Sequence, residues 1–119
     1  MYRQNIIDLF KAIDAMDTET FASYLTDNVV FAFGNFPPAT GNDAVFQAVA
    51  GFYSSIRSLT HTIDNIWESG ENAIINGNVE YTRHSGTKLK VPFCNVYRYE
   101  GMKIADYRIY VDVSQLYAG

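Results

Sequence analysis

The chain holds a single cysteine, two histidines and three prolines in 119 residues, and no apolar run nears the roughly 18 to 20 residues of a membrane-crossing helix. Cys94 alone makes no internal disulfide, and beside Phe93 and Val96 it reads as a packed thiol rather than a nucleophile. With no paired cysteines, no HExxH, no glycine-rich dinucleotide loop and no Walker-type phosphate loop, nucleotide and zinc readings have no motif behind them. Basic charge is also scarce: nine Lys and Arg stand against thirteen Asp and Glu, for a net charge of −4 and a pI near 4.9. That balance argues against nucleic acid as a partner, since a phosphate backbone calls for a basic patch. The opening MYRQNIIDLF lacks the apolar centre of a signal peptide, so the expected location is the cytoplasm, away from membranes.

Present in quantity are apolar residues, 48% of the chain, and aromatic ones, including nine Tyr and eight Phe. Such side chains fill a core or line a cavity. The length suits one domain, residues 1–119, and no repeat, low-complexity tract or linker divides it.

Ile6, Phe10 and Ile13 recur at helical spacing and predict a helix over about residues 3 to 15. Asp17 is placed to cap a second short helix, TETFASYL. VVFAF, residues 29 to 33, reads as a strand, followed by a loop, NFPPATG, whose prolines forbid helix and central strand alike. A third helix starts at Asn42 or Asp43, with Val45, Val49, Phe52 and Ile56 on one face. Beyond Leu59 the period becomes 2, and turn signals at ESGEN, HSGT and YEGMK mark four strands at about 59–68, 73–84, 87–100 and 103–113. Helices followed by an antiparallel meander make an α+β class, with three N-terminal helices held in a curved sheet.

A sheet curved around helices leaves a cone-shaped cavity. Alternation assigns to its walls Leu59, His61, Ile63, Asn65 and Trp67 from one strand, Ile75, Val79, Tyr81 and Arg83 from the next, and Asp106, Arg108, Tyr110 and Asp112 from the last. On that reading Ala105, Tyr107, Ile109, Val111 and Val113 form an apolar outer face that needs cover, hence an expected homodimer through the sheet.

The segments NFPPATGNDAV, NVEYTRHSG, VPFCNVYRYEGMKI and YRIYVD together resemble the NTF2-like α+β cone, and within it the SnoaL-like branch of polyketide cyclases and limonene epoxide hydrolases. The resemblance implies an acid or base at Asp112, in YRIYVD, and a pocket arginine at Arg83, in YTR. The second carboxylate of the hydrolases falls on Ser85, so their triad is incomplete. The isomerase branch would need a base near Phe33 and a hydroxyl donor near Phe10, where neither ring exchanges a proton. The scytalone dehydratase branch uses a histidine where His61 stands; alternation turns His84, the other candidate, away from the face of Arg83.

The expected catalytic set is therefore Asp112, Arg83 and His61, inside a pocket lined by Tyr53, Trp67, Tyr81, Tyr110, Phe33 and Phe52. A poorly hydrated carboxylate gains basicity, a nearby guanidinium lowers it, and the balance decides whether Asp112 takes a proton at neutral pH. Each residue has a plainer alternative: Asp112 at a strand end, Arg83 in a surface pair with Glu80 or Glu100, His61 as a hydrogen-bonded core residue. The expected activity is proton transfer on an apolar carbonyl or hydroxyl compound by a cofactor-independent isomerase, cyclase or dehydratase. The alternative is a non-catalytic dimeric module that binds a small apolar ligand in the same cone.

Overall fold

A computed structural model describes residues 1–118. Helix α1 (Arg3–Asp14) buries Ile6, Leu9, Phe10 and Ile13. Helix α2 (Thr18–Ser23) opens on Asp17, whose carboxylate accepts the Thr20 N–H at 3.1 Å. Strand β1 (Leu25–Phe33), strand β2 (Ala39–Thr40) and helix α3 (Asn42–Ser54) follow, then β3 (Ser58–Ser69), β4 (Asn72–Thr82), β5 (Lys88–Glu100) and β6 (Lys103–Val111). Gly41 rather than Asn42 caps α3, at a φ of 95° that favours glycine. Asn42 instead donates its amide to the Ala22 carbonyl at 3.0 Å, tying α3 to α2.

The six strands lie in the order β2-β1-β6-β5-β4-β3. β3 to β6 form the expected antiparallel meander, and β1 joins it in parallel beside β6. Directly after Pro37 and Pro38, Ala39 and Thr40 make a two-residue pairing with β1 that the sequence does not signal; at the sheet edge the prolines need no ladder partner. One apolar cluster fills the space between helices and sheet, including Tyr97, Tyr99 and Tyr107, each essentially inaccessible to solvent.

Two strands depart from the expected alternation. In β3 the register with β4 shifts between Ile63 and Asn65, a bulge that reverses the faces. Leu59, His61 and Ile63 therefore face inward before it, Ile66 packs on the core after it, and Trp67 is turned out, 51% exposed. Opposite the bulge stands Gly77, where a Cβ would come within 1.9 Å of the Thr62 carbonyl oxygen. In β6 the expected faces are exchanged: Tyr107 and Ile109 line the interior, while Asp106, Arg108, Tyr110 and Asp112 occupy the outer side. The apolar set takes the buried face, because a one-residue choice of register moves every side chain across the sheet. The outer charges pair with each other, Arg108 Nε donating to Asp106 Oδ1 at 2.8 Å. The outer face of β6 is thus not the apolar surface on which the expected dimer rested.

Candidate functional site

Between α3 and the sheet lies a cavity of about 380 Å³, within the range of small-ligand sites. Phe31, Phe33, Phe52, Tyr53, Tyr81, Phe93 and Tyr107 supply most of its wall, and among the described residues no Asp, Glu, Lys or Arg lines it. Its open end is marked by the lining residues that reach solvent: Phe36, 47% exposed, and Tyr117, 60% exposed. Tyr117 hydrogen-bonds through its hydroxyl to that of Ser55 at 2.8 Å, across from the end of α3.

His61 stands on the inner face of β3, with its ring edge-on to Phe10 and Phe93 at centroid distances of 5.0 and 5.1 Å. Its Nδ1 lies 2.6 Å from Oδ1 of Asp14, and its backbone N–H donates to Oδ2 of the same carboxylate at 2.9 Å. Because an ionised carboxylate only accepts, Nδ1 carries the proton; in the neutral ring Nε2 then holds a lone pair. Asp14 is the last residue of α1, where the helix dipole disfavours an acid. Its double hold on His61 accounts for it there.

Asn95 is the other polar group deep in the wall, 2% exposed on the inner face of β5. Its Nδ2 donates to the Tyr97 hydroxyl at 3.0 Å, and Tyr97 in turn shares a hydrogen bond with Tyr107. Its Oδ1 is buried without a partner among the described residues, an arrangement that costs roughly 1–3 kcal/mol in a folded protein. Burial pushes the tyrosines Tyr53, Tyr81, Tyr97 and Tyr107 well above the ordinary phenol range, so their hydroxyls stay protonated as donors.

Of the expected site residues, His61, Tyr53, Tyr81, Phe33 and Phe52 meet at the cavity. Asp112, Arg83, Trp67 and Tyr110 do not. Asp112 is exposed on the outer side just past β6, where its Oδ1 accepts the Ser114 N–H at 2.9 Å. The Ser114 hydroxyl and amide hold its carboxyl below the usual range, the reverse of a base made stronger by burial. Arg83 follows β4 and holds the last turn of the described chain: Nε donates to the Leu116 carbonyl at 2.7 Å, Nη2 to that of Gln115 at 2.9 Å, and Nη1 to Thr87 Oγ1 at 3.1 Å. Trp67 and Tyr110 flank a shallow groove on the outer face together with Asp112. Ser85 hydrogen-bonds to Thr87 in the turn beyond Arg83, and His84 contacts the Ser54 carbonyl at 2.8 Å. Cys94 is half-buried on the outer side of β5. Among the described residues no three His, Cys, Asp or Glu side chains converge as a metal set.

The sequence reading missed Asp14 and Asn95. Each left a signal: an acid in the last turn of an amphipathic helix, and one amide in the inward series Leu89, Val91, Phe93, Asn95, Tyr97, Tyr99.

Three helices packed in a six-stranded sheet around an aromatic cavity define an NTF2-like cone. The chain belongs to the SnoaL-like domain family, whose pattern matches residues 6–107. No protein among the curated sequences matches it. Its backbone resembles an NTF2-like protein of unknown function from Burkholderia pseudomallei, with a TM-score of 0.87 at 18% identity over 97% of this chain and 93% of that one. TerC, co-crystallised with polyporic acid, has a TM-score of 0.85 at 14% identity, covering 98% and 95% of the two chains. An epoxide hydrolase from M. tuberculosis, similar to the limonene enzyme, has a TM-score of 0.81 at 16% identity, covering 97% and 85%. Identities this low speak to the shared fold. No helix among the described residues is long and apolar enough to cross a membrane.

Proposed function

We propose that this SnoaL-like protein is a cavity enzyme that moves a proton on an apolar carbonyl or hydroxyl compound, with His61 as acid and base and Asp14 as its positioning residue. The observation that carries this reading is the hold of Asp14 on Nδ1 of a histidine that lines the cavity, which leaves Nε2 as the nitrogen available to a ligand. Nε2 takes a proton from carbon alpha to a carbonyl, and the electron pair of the broken C–H bond moves onto the carbonyl oxygen. The protonated hydroxyls of Tyr53 and Tyr81 are suited to meet the charge that develops there. The proton then returns from Nε2 to another carbon, giving an isomer, or to a departing hydroxyl, giving an alkene and water. Throughout, the Asp14 carboxylate stabilises the imidazolium. That TerC, of the same fold, was co-crystallised with polyporic acid supports a cavity that receives a small organic compound. Epoxide hydrolysis is not the proposed reaction, because Asp112, Arg83 and Ser85 all lie outside the cavity lining.

The test is proton NMR in deuterated buffer with a panel of bicyclic ketones and β-hydroxyketones. Exchange or dehydration above the buffer rate is expected, falling about 10²- to 10⁴-fold in His61→Gln. Equal rates in the two proteins would overturn the role of His61. Binding with no turnover would leave the cone as a ligand-binding module.

Self-association enters the proposal on different residues from those expected. Trp67, Ile74 and Val96 form one row across β3, β4 and β5 on the outer face, with Cys94 and Tyr110 in the next. Trp67, Ile74 and Tyr110 are 51%, 40% and 58% exposed, and a second copy is the occupant proposed for that surface.

A further inference from the structure

Asn95 sits in the middle of the sheet, paired with Ile75 on β4 and Ile109 on β6, and its side chain belongs to the cavity wall. Its amide sets Nδ2 3.0 Å from the buried Tyr97 hydroxyl, to which it donates. That bond points Oδ1 away from Tyr97, and none of the described residues donates to it. A buried carbonyl oxygen with no donor, in a residue that lines a cavity, is an acceptor awaiting a donor. Packing alone does not explain Oδ1, because a leucine of similar size would fill the place with no buried carbonyl oxygen, giving up only the Nδ2 bond to a Tyr97 hydroxyl that keeps Tyr107.

We propose that Asn95 is the polar anchor of the cavity, its Oδ1 accepting a hydrogen bond from a hydroxyl of an otherwise apolar, hydroxylated ligand. The donor is a hydroxyl rather than an ammonium, since a cation would shed its water into a cavity lined by no carboxylate. Phe93, two residues before Asn95 on the same face, is in edge contact with the His61 ring. A ligand anchored at Asn95 therefore lies along the wall that also carries His61. The inference rests on the cavity being a ligand site but not on His61 acting as a base.

Binding of three matched probes, β-naphthol, its methyl ether and naphthalene, is measured by calorimetry and NMR shift perturbation on the wild-type protein and on Asn95→Leu. Wild type is expected to bind β-naphthol about tenfold more tightly than either of the others. Asn95→Leu is expected to keep naphthalene binding and lose that preference. Equal wild-type affinity for all three overturns the anchor and leaves the cavity reading standing. So does a gain for the ether as large as that for the naphthol, which would mean that Nδ2, not Oδ1, meets the ligand. Failure of every probe to bind overturns the cavity reading along with the anchor. If Asn95→Leu does not fold, the same series on His61→Leu decides: a naphthol preference that persists there belongs to Asn95, and one that is lost belongs to Nε2 and overturns the anchor.

Discussion

Asp14 and His61 meet across 47 residues of chain, with Oδ1 of the one 2.6 Å from Nδ1 of the other. The contact joins the end of α1 to the inner face of β3 and fixes which ring nitrogen is left for the cavity. Asp14→Asn is expected to reduce kcat by about 10²-fold or more with little change in KM, as for a group that acts through the base. An Nδ1 proton resonance displaced downfield in wild type should disappear in that variant. Asp112→Asn, by contrast, should leave kcat within about twofold of wild type, and a large loss there would restore the carboxylate to the mechanism.

Arg83 is expected to act on stability and access. Arg83→Ala removes donors to the Leu116 and Gln115 carbonyls and loosens Leu116, which is 1% exposed. A stability loss of about 1–3 kcal/mol in denaturant unfolding is expected. KM should rise with kcat unchanged, because Tyr117 at the mouth belongs to the same turn. A kcat effect as large as that of His61→Gln would contradict this.

Five of the nine tyrosines, Tyr53, Tyr81, Tyr97, Tyr99 and Tyr107, are pushed up first by burial. Their folded pKa exceeds the unfolded value of about 10, so above that pH the unfolded chain holds fewer protons than the native one. Stability is therefore unaffected by these groups below about pH 10 and falls as the pH rises beyond it. Alkaline titration should show tyrosinate absorbance for this group appearing together with the loss of near-UV circular dichroism. Smooth ionisation of all nine in a folded protein would refute it.

Gly77→Ala is expected to destabilise the fold by at least about 1–3 kcal/mol, because its Cβ would collide with the Thr62 carbonyl, and backbone must move to relieve it. Gly51, with open space where a Cβ would go, is the control: Gly51→Ala in the interior of α3 should be neutral or stabilising. Thermal unfolding of the two variants makes the comparison.

Trp67→Glu is expected to shift sedimentation toward the 13.4 kDa species if copies pair through the outer face. Identical sedimentation of wild type and variant as monomers would remove that proposal.

The helices and the four-strand meander were legible because Ile6, Phe10 and Ile13, or Val45, Val49 and Phe52, keep one period over a whole element. The faces of β3 and β6 were not. A bulge adds one residue and leaves no composition signal, so Trp67 fell on the wrong side once Asp64 was counted as an ordinary ladder position. In β6 both faces hold large side chains, and alternation alone does not say which of them meets the cavity. The apolar series from Tyr107 to Val113 had the better claim to the interior. His61 was legible as a residue on an inward face. Its partner was not, since Asp14 lies on another element and only the packing of α1 against β3 brings the two together.

The parallel ladder between β1 and β6 also leads us to expect an order of assembly. β3 to β6 are joined by short turns and zip from local contacts, whereas Phe31 waits for Tyr107, 76 residues further along the chain, before its own ladder can close. Phe31, Phe33, Tyr107 and Ile109 all wall the cavity, so the site does not exist in any partly folded form that lacks this closure. Ligand binding is therefore expected to report completed β1–β6 docking, and a mutation that weakens this docking should lower the fraction of competent protein without touching a residue that meets the ligand.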